Sequence, residues 1–501
     1  MFQRLEAGGT HQEGIVRHRN SVVANMETIS QRFDVACRNY PDRTAMFAED
    51  RTPVSFERLY YSVHALAQAL IDRGVRAGNV VSVHVAETST RLALALAIIR
   101  IGAGAALFGP PLPARGENAG INFFVVDGTT TAPANPRILR LDATWLRPPG
   151  APVPQRAVGG IITSTSGTTG FPKLQAQSED VLLARVDLSN RLAGAPDAAV
   201  LEGFNSSQSA GFNGFLIALV LGLTQIRPEQ DPHKTLRSMV EQNVGYARIP
   251  PFILMMLVNS LPDYSGPIPR LKRVMTGGAA ASPGLASAAE KAFGCIVQLA
   301  YGSTESGLVS AFRPTDAPGR PGTVGKIRPG LNYRFLDEGG TVAPAGELYL
   351  QVPVAVRPSN YLNAAGPYDA DGWLATGDIG MIDEDGNLVL TGRRAEFINA
   401  GGSKRAPELF EKQFVGVPGV SQVAAFAISN GWGSDDAGIL LVADREKTTD
   451  NEIRVALAEG IKKGFVFRIF FVDKIPLTQA GKLDRKYLSE LHRERVADLL
   501  L

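Results

Sequence analysis

Residues 161–173 read IITSTSGTTGFPK, and their types could bind phosphate. Gly167 and Gly170 let a backbone take positive φ and come close to an anion. Ser164, Thr165, Ser166, Thr168 and Thr169 can donate hydrogen bonds, and Lys173 adds charge. A solvated linker uses the same small residues, so the stretch alone leaves both readings open. One class is excluded. A P-loop needs Gly directly before its Lys and a hydroxyl after it, whereas Pro172 precedes Lys173 and Leu174 follows.

Four later segments carry compatible chemistry. AYGSTESG places Tyr301, Gly302, Thr304 and Glu305 on a glycine-flanked turn after an apolar strand-like run, where open α/β sheets bind ligands. DGWLATGDIG presents Asp378 after Gly377, a carboxylate on a turn suited to accepting from two ribose hydroxyls. TGRRAEFINAGGSKRAPELFE carries Arg393, and PLTQAGKLDRKYL carries Lys482 just after Gly481. Each has an ordinary alternative as core, turn or surface ion pair. Five such segments in one order outweigh them.

The elements that must position these residues alternate. TPVSFERLYYSVHALAQALIDRG is helix-periodic, NVVSVHVAE strand-like, TSTRLALALAIIRIG helical and GAALF a short apolar strand, which indicates a largely parallel sheet. Residues 127–158 are rich in Thr, Pro and Ala and read as an irregular connection. A second α/β stretch follows with PIPRLKRVMTGG, ASPGLASAAEKAFG and CIVQLAYG. After about Val324 short β segments take over, and DEDGN between apolar runs is a hairpin turn. Residues 393–501 form a smaller mixed unit, long enough for its own core.

With 501 residues, 45% hydrophobic, the chain exceeds a single core. A net charge of +2 without a long basic block argues against nucleic acid or a membrane surface as partner. Two cysteines, Cys37 and Cys295, form no disulfide framework, which suits a reducing cytoplasm. Residues 1–30 lack an apolar signal region and read as a polar arm. The run 211–223 is too short to span a bilayer and reads as a buried helix. All six histidines lie outside the motifs, so a hydrolase triad is a poor fit.

Taken together, the ordered motifs resemble those of the adenylate-forming superfamily of acyl-CoA synthetases, aryl-acid ligases, nonribosomal adenylation domains and luciferases, from about Asp34 to Leu488. The resemblance implies an α/β fold: a large N-terminal domain over 31–392, with α/β subdomains and a small β subdomain, and a small mobile α+β domain over 393–501. It implies an enzyme that uses ATP and magnesium to turn a carboxylic acid into an acyl-adenylate, then passes the acyl group to coenzyme A or to the phosphopantetheine of a separate carrier protein. The loop from Thr165 to Gly170 with Lys173 would close over the β- and γ-phosphates, Thr304 would contact the α-phosphate and Glu305 would ligate magnesium. Gly277, Gly278 and Ala279 would line the adenine and acyl pocket, with Tyr301, followed by Gly302, against the adenine. Asp378 and Arg393 would hold the ribose, and Lys482 would bridge the acyl carboxylate and the nucleotide.

Three positions depart from the family pattern. Ser207 or Gln208 stands where many acyl and aryl members carry a His. Asn205 follows Phe204 where amino-acid-activating members place Asp, and Ala395 takes a hinge position usually filled by Asp or Lys. The acid is therefore expected to lack an α-amino group and to rest against Phe204, Asn205, Gln208, Gly211 and Phe212. An amino-acid-adenylating ligase, and a nucleotide-binding sensor without catalysis, are the alternatives.

Overall fold

The computed structural model describes residues 28–107, 120–128, 137–147, 151–155, 157–165, 173–279, 281, 283–316, 322–359, 361–362, 365–400, 403–429, 435–462, 465–477 and 483–491. Of the polar arm expected over 1–30, residues 1–27 lie outside them, as do loop residues Ser166, Gly167, Thr168, Thr169 and Gly170, and Lys482; Ile29 and Ser30 already belong to the first helix. The chain divides into two compact units, one of 1–319, 327–331 and 352–374, the other of 320–326, 332–351 and 375–501.

The first unit begins its described course with α1 (Ile29–Asn39), started by a reciprocal cap: Gln31 N donates to Thr28 Oγ1 and Thr28 N to Gln31 Oε1, each at 3.1 Å. A hairpin of β1 (Thr44–Phe47) and β2 (Pro53–Ser55) leads into α2 (Phe56–Asp72). The expected alternation follows in β3 (Val80–His84), α3 (Thr88–Ile101), β4 (Gly104–Ala106), β5 (Phe123–Val126), β6 (Ile138–Arg140), β7 (Gly160–Thr165) and β8 (Lys173–Ser178). These six strands form one sheet in the order β6-β5-β3-β4-β7-β8, parallel throughout except for the β7/β8 pair. After its polar first turn, helix α3 is buried on all sides from Leu92 to Ile101 and, Arg100 apart, apolar there, and it ends at Gly102 with φ +86°. Residues 127–158 are less irregular than their composition suggests. They contain the edge strand β6 and a 3-10 turn, Ala143–Leu146, whose Trp145 is buried. A three-residue strand is too short for its alternation to register among prolines.

The second sheet is built the same way from α4 (Glu179–Ala193), β9 (Ala199–Glu202), α5 (Ser209–Val220), β10 (Gln225–Ile226), α6 (Pro232–Glu241), β11 (Val244–Arg248), α7 (Pro251–Ser260), β12 (Arg273–Gly277), α8 (Pro283–Phe293), β13 (Ile296–Ser303) and β14 (Gly307–Phe312). Its order is β10-β9-β11-β12-β13-β14, again parallel except for the last pair. The run 211–223 is the buried helix expected, and among the described residues no helix is long and apolar enough to cross a membrane.

The second unit contains a six-stranded sheet of β15 (Thr323–Gly325), β16 (Asn332–Leu336), β17 (Val342–Ala343), β18 (Ala345–Gln351), β19 (Trp373–Ile382) and β20 (Leu388–Arg393), ordered β15-β20-β19-β18-β16-β17. DEDGN is its tight turn: Asp383 N donates to Asn387 O at 2.9 Å, and Gly386 has φ +81°. Beyond it come the hairpin β21 (Ile398–Ala400) and β22 (Ser403–Arg405), α9 (Pro407–Glu411), β23 (Val420–Ser429), β24 (Asp435–Ala443), α10 (Asp450–Lys462), β25 (Phe467–Phe471) and α11 (Arg485–Leu491). Strands β23 to β25 form a sheet whose core includes Phe410, Phe414, Ile439 and Phe467. By compactness the six-stranded sheet groups with residues 375–501. Where the chain bends is a separate property from where it packs.

Candidate active site

Open α/β sheets bind ligands beyond the carboxyl ends of their parallel strands, and the candidate residues of the first unit leave both sheets at that end. Strand β7 ends at Thr165, directly before loop 166–172, and Thr165 pairs across the hairpin with Lys173, so the residues flanking that loop are held side by side. Strand β9 ends at Glu202 before the 203–212 segment, and β12 ends at Gly277, followed by the exposed Gly278 and Ala279. Tyr301 and Gly302 lie in the last three residues of β13, which ends at Ser303, and Thr304 and Glu305 form the turn into β14. Glycine is required at two of these points: a Cβ on Gly277 would stand 2.4 Å from Ala300 O, and one on Gly302 2.2 Å from Gly307 O.

Tyr361 links the loop to that turn. The Lys173 ammonium sits over its ring, 5.0 Å from the centroid, and its phenol donates to Glu305 Oε1 at 2.6 Å. The Glu305 backbone carbonyl accepts from Tyr368 OH at 2.9 Å and from Arg185 Nη2 at 3.2 Å. Arg185, 5% exposed, gathers further acceptors: Thr304 O at 2.9 Å, Val356 O at 2.9 Å and Gln177 Oε1 at 3.0 Å. Burial lowers its pKa to about 10, and the nearby Tyr368 and Glu305 oppose that shift. Burial likewise pushes the Tyr368 phenol up, so it remains a donor. Sequence reading missed Arg185, Tyr361 and Tyr368. Arg185 carries a signal, a lone cation within the apolar run VLLARV of α4.

The acyl-side candidates have more varied placements. Phe204 is half-buried, and Asn205 turns back on its own chain, its Oδ1 accepting from Ser207 N at 2.9 Å and its carbonyl from Gln208 N at 2.9 Å. Gly211 lies under that turn, where a Cβ would stand 2.2 Å from Asn205 O. Phe212 lies in the hydrophobic core, fully buried against Phe215 at a ring-centroid distance of 5.8 Å. Glu202, the carboxylate nearest this segment, is 1% exposed and engaged: Arg248 Nε donates to Oε2 and Phe204 N to Oε1, each at 3.0 Å. Burial raises its pKa to about 7, and Arg248 limits the rise.

In the second unit Asp378 and Arg393 are cross-strand neighbours on β19 and β20, joined by Arg393 Nε to Asp378 Oδ1 at 2.7 Å. Asp378 is 7% exposed and follows Gly377, whose φ is +74°. On either side of Ala395, Arg394 pairs with Glu347 and Glu396 with Arg485, each at 2.6 Å.

The profile of the AMP-binding enzyme family matches residues 33–122 and 130–357, more than half of the chain. The chain belongs to this family. Within this adenylate-forming family, it is 25% identical over 523 residues to oxalate–CoA ligase of Arabidopsis thaliana, covering 94% of this chain and 99% of that protein. It is 28% identical over 356 residues to the salicylyl-CoA synthase / salicylate adenylyltransferase of a Streptomyces species, a match spanning 66% of this chain and 63% of that protein. The amide bond synthetase McbA of Marinactinospora thermotolerans shares the fold at a TM-score of 0.76 and 24% identity, over 92% of this chain and 99% of the other.

The donor set at this turn suits a divalent cation shared with phosphates rather than one caged by protein alone. Among the described residues no group of three or more His, Cys, Asp or Glu could form an all-protein cage. Magnesium is ordinarily held by one or two carboxylates together with substrate phosphates, and Glu305, hydrogen-bonded by Tyr361 with Lys173 over the same ring, is a carboxylate that could serve in that way.

Proposed function

We propose that the chain is an ATP-dependent, AMP-forming acid–thiol ligase that activates a carboxylic acid lacking an α-amino group and transfers it to coenzyme A. The observation that carries this reading is the chain of contacts from Lys173 through Tyr361 to Glu305, which puts a cation, a phenol and a carboxylate at the mouth of the phosphate loop. Homologous CoA ligases support the thiol acceptor. A carrier-protein phosphopantetheine is the other acceptor with the same thiol chemistry.

A carboxylic acid is ionised at neutral pH and attacks the α-phosphorus without a general base. The site must therefore position groups and offset charge. Lys173 and the loop hydroxyls hold the outer phosphates, the Thr304 hydroxyl holds the α-phosphate, and Gly277, Gly278, Ala279 and Tyr301 flank the adenine. Magnesium, when bound through Glu305, neutralises charge building on the phosphates. Asp378 accepts from the ribose hydroxyls with Arg393 beside it, and Lys482 meets the acyl carboxylate as the chain bends near Ala395. The expected working compartment is the cytoplasm.

The engagement of Glu202 supports the choice of acid. An α-ammonium in this region would need a charge partner, and the carboxylate at hand is already bonded to Arg248 and to the Phe204 amide. The test is ATP–pyrophosphate exchange over matched acids with and without an α-amino group, followed by thioester formation with coenzyme A. Preference for the amino acid would overturn the substrate reading, and absence of exchange with any acid would overturn the ligase reading.

A further inference from the structure

The Glu202–Arg248 pair occupies a defined level between α5 and the second sheet. At the start of α5, Ala210 O lies 3.5 Å from Arg248 Nη2. One turn on, Gly214 lies so close to the pair that a Cβ there would stand 1.7 Å from Glu202 Oε2. About a turn further, Ile217 lines a small cavity of about 20 Å³, room for a single water, whose walls include Arg248 itself and Arg273. The strands repeat the order: Glu202 ends β9 and Arg248 ends β11, while Val200 and Tyr246, two residues earlier on each, line the same cavity with Ser189 and Met275. On the opposite side of the pair is segment 203–212, tied to it by Phe204 N on Glu202 and by Gly203 N on Arg248 O at 2.8 Å.

We propose that Glu202 and Arg248 form the floor of the acyl site and restrict the enzyme to compact acids, short-chain or single-ring, by filling with their own side chains the space between segment 203–212 and the small cavity beneath. The proposal rests on the ligase reading. A tail extending past the floor must displace a carboxylate that is 1% exposed from its guanidinium, and burying a few methylenes does not offset breaking a buried ion pair. Gly214 contributes by leaving room for the Glu202 carboxylate under α5.

The test is pyrophosphate exchange with a graded series of acids from propionate through hexanoate and benzoate to decanoate and hexadecanoate, read as kcat/KM. The wild-type enzyme should favour the compact acids over decanoate and hexadecanoate by at least about tenfold. Glu202→Ala combined with Arg248→Ala should move that ratio toward the long acids by about tenfold or more, whereas Glu202→Gln with Arg248→Met, which removes the charges and keeps the bulk, should preserve it. Efficient turnover of hexadecanoate by the wild-type enzyme refutes the floor without any variant. An unchanged ratio in a double-alanine enzyme that still activates short acids refutes it as well. Exchange with none of the acids instead sinks the ligase reading, so the two failures are distinct.

Discussion

Arg248→Met keeps much of the side chain's bulk and deletes its charge, leaving Glu202 buried with the Phe204 amide but without its ion-pair partner. Breaking a buried pair in this way costs about 3–5 kcal/mol. Burial already raises the Glu202 pKa from its usual 4.5 to about 7 while Arg248 holds it down, so removing Arg248 lifts it further. For a carboxyl whose pKa is higher folded than unfolded, stability falls as pH rises from the unfolded value to the folded one. In the wild type that fall is over near pH 7. In the variant it continues, so the deficit widens between pH 7 and 9 by up to about 1.4 kcal/mol per pH unit. At roughly 2 °C per kcal/mol for a large domain, thermal unfolding at a fixed scan rate should show Tm lowered by about 6–10 °C at pH 9 and by visibly less at pH 6. Adding Glu202→Gln should abolish that pH dependence. An equal Tm deficit at both pH values, or none at either, would refute the reasoning.

Glu305→Gln should reduce magnesium-dependent pyrophosphate exchange by about 100-fold or more, and unchanged exchange would remove Glu305 from the site. Tyr361→Phe deletes a hydrogen bond to a carboxylate and should raise the magnesium concentration for half-maximal exchange by about tenfold, a titration that would otherwise superimpose on the wild type. Lys482→Ala should abolish adenylate formation yet still convert a supplied acyl-adenylate to thioester, and equal loss of both half-reactions would contradict a role in the first step alone. His64, buried with Nδ1 accepting from Val153 N at 2.8 Å, has its pKa lowered by burial and by Arg100 from 6.5 to about 4. Its neutral form therefore stabilises the fold above pH 6.5, and up to about 3 kcal/mol is lost as pH falls toward 4. His64→Asn should flatten the Tm-against-pH curve over that range, and a slope like the wild type's would exclude His64 as its source.

Periodicity was strong enough to reveal α2, α3, α5 and the strands around Val80, Arg273 and Ile296, because each buries a face or a whole surface of consistent pattern. The edge strand Ile138–Arg140 was hidden by its brevity. Motif order named the residues proposed to meet the nucleotide, since their types are dictated by phosphate and metal chemistry. What stayed illegible were the residues that act through tertiary contact. Tyr361 follows Glu305 by 56 positions and Arg185 precedes Thr304 by 119, so no local pattern joins them. The Glu202–Arg248 pair is similar: 46 residues separate the partners, so no local pattern joins them either.

The cap on the first helix has a further consequence for how the chain is made. Besides Thr28, the N-terminus of α1 is satisfied by the Glu179 carboxylate, which accepts from Ile29 N and Ser30 N across separations of 150 and 149 residues, and Arg32 pairs with Asp187 at 2.9 Å. At a synthesis rate of about 5–20 residues per second, α1 emerges roughly 8–30 seconds before these partners exist. Throughout that interval the apolar face of Ile29, Phe33, Ala36 and Cys37 has no finished core to enter. A nascent chain stalled before residue 179 should therefore be a substrate for holding chaperones, with release timed to the emergence of α4.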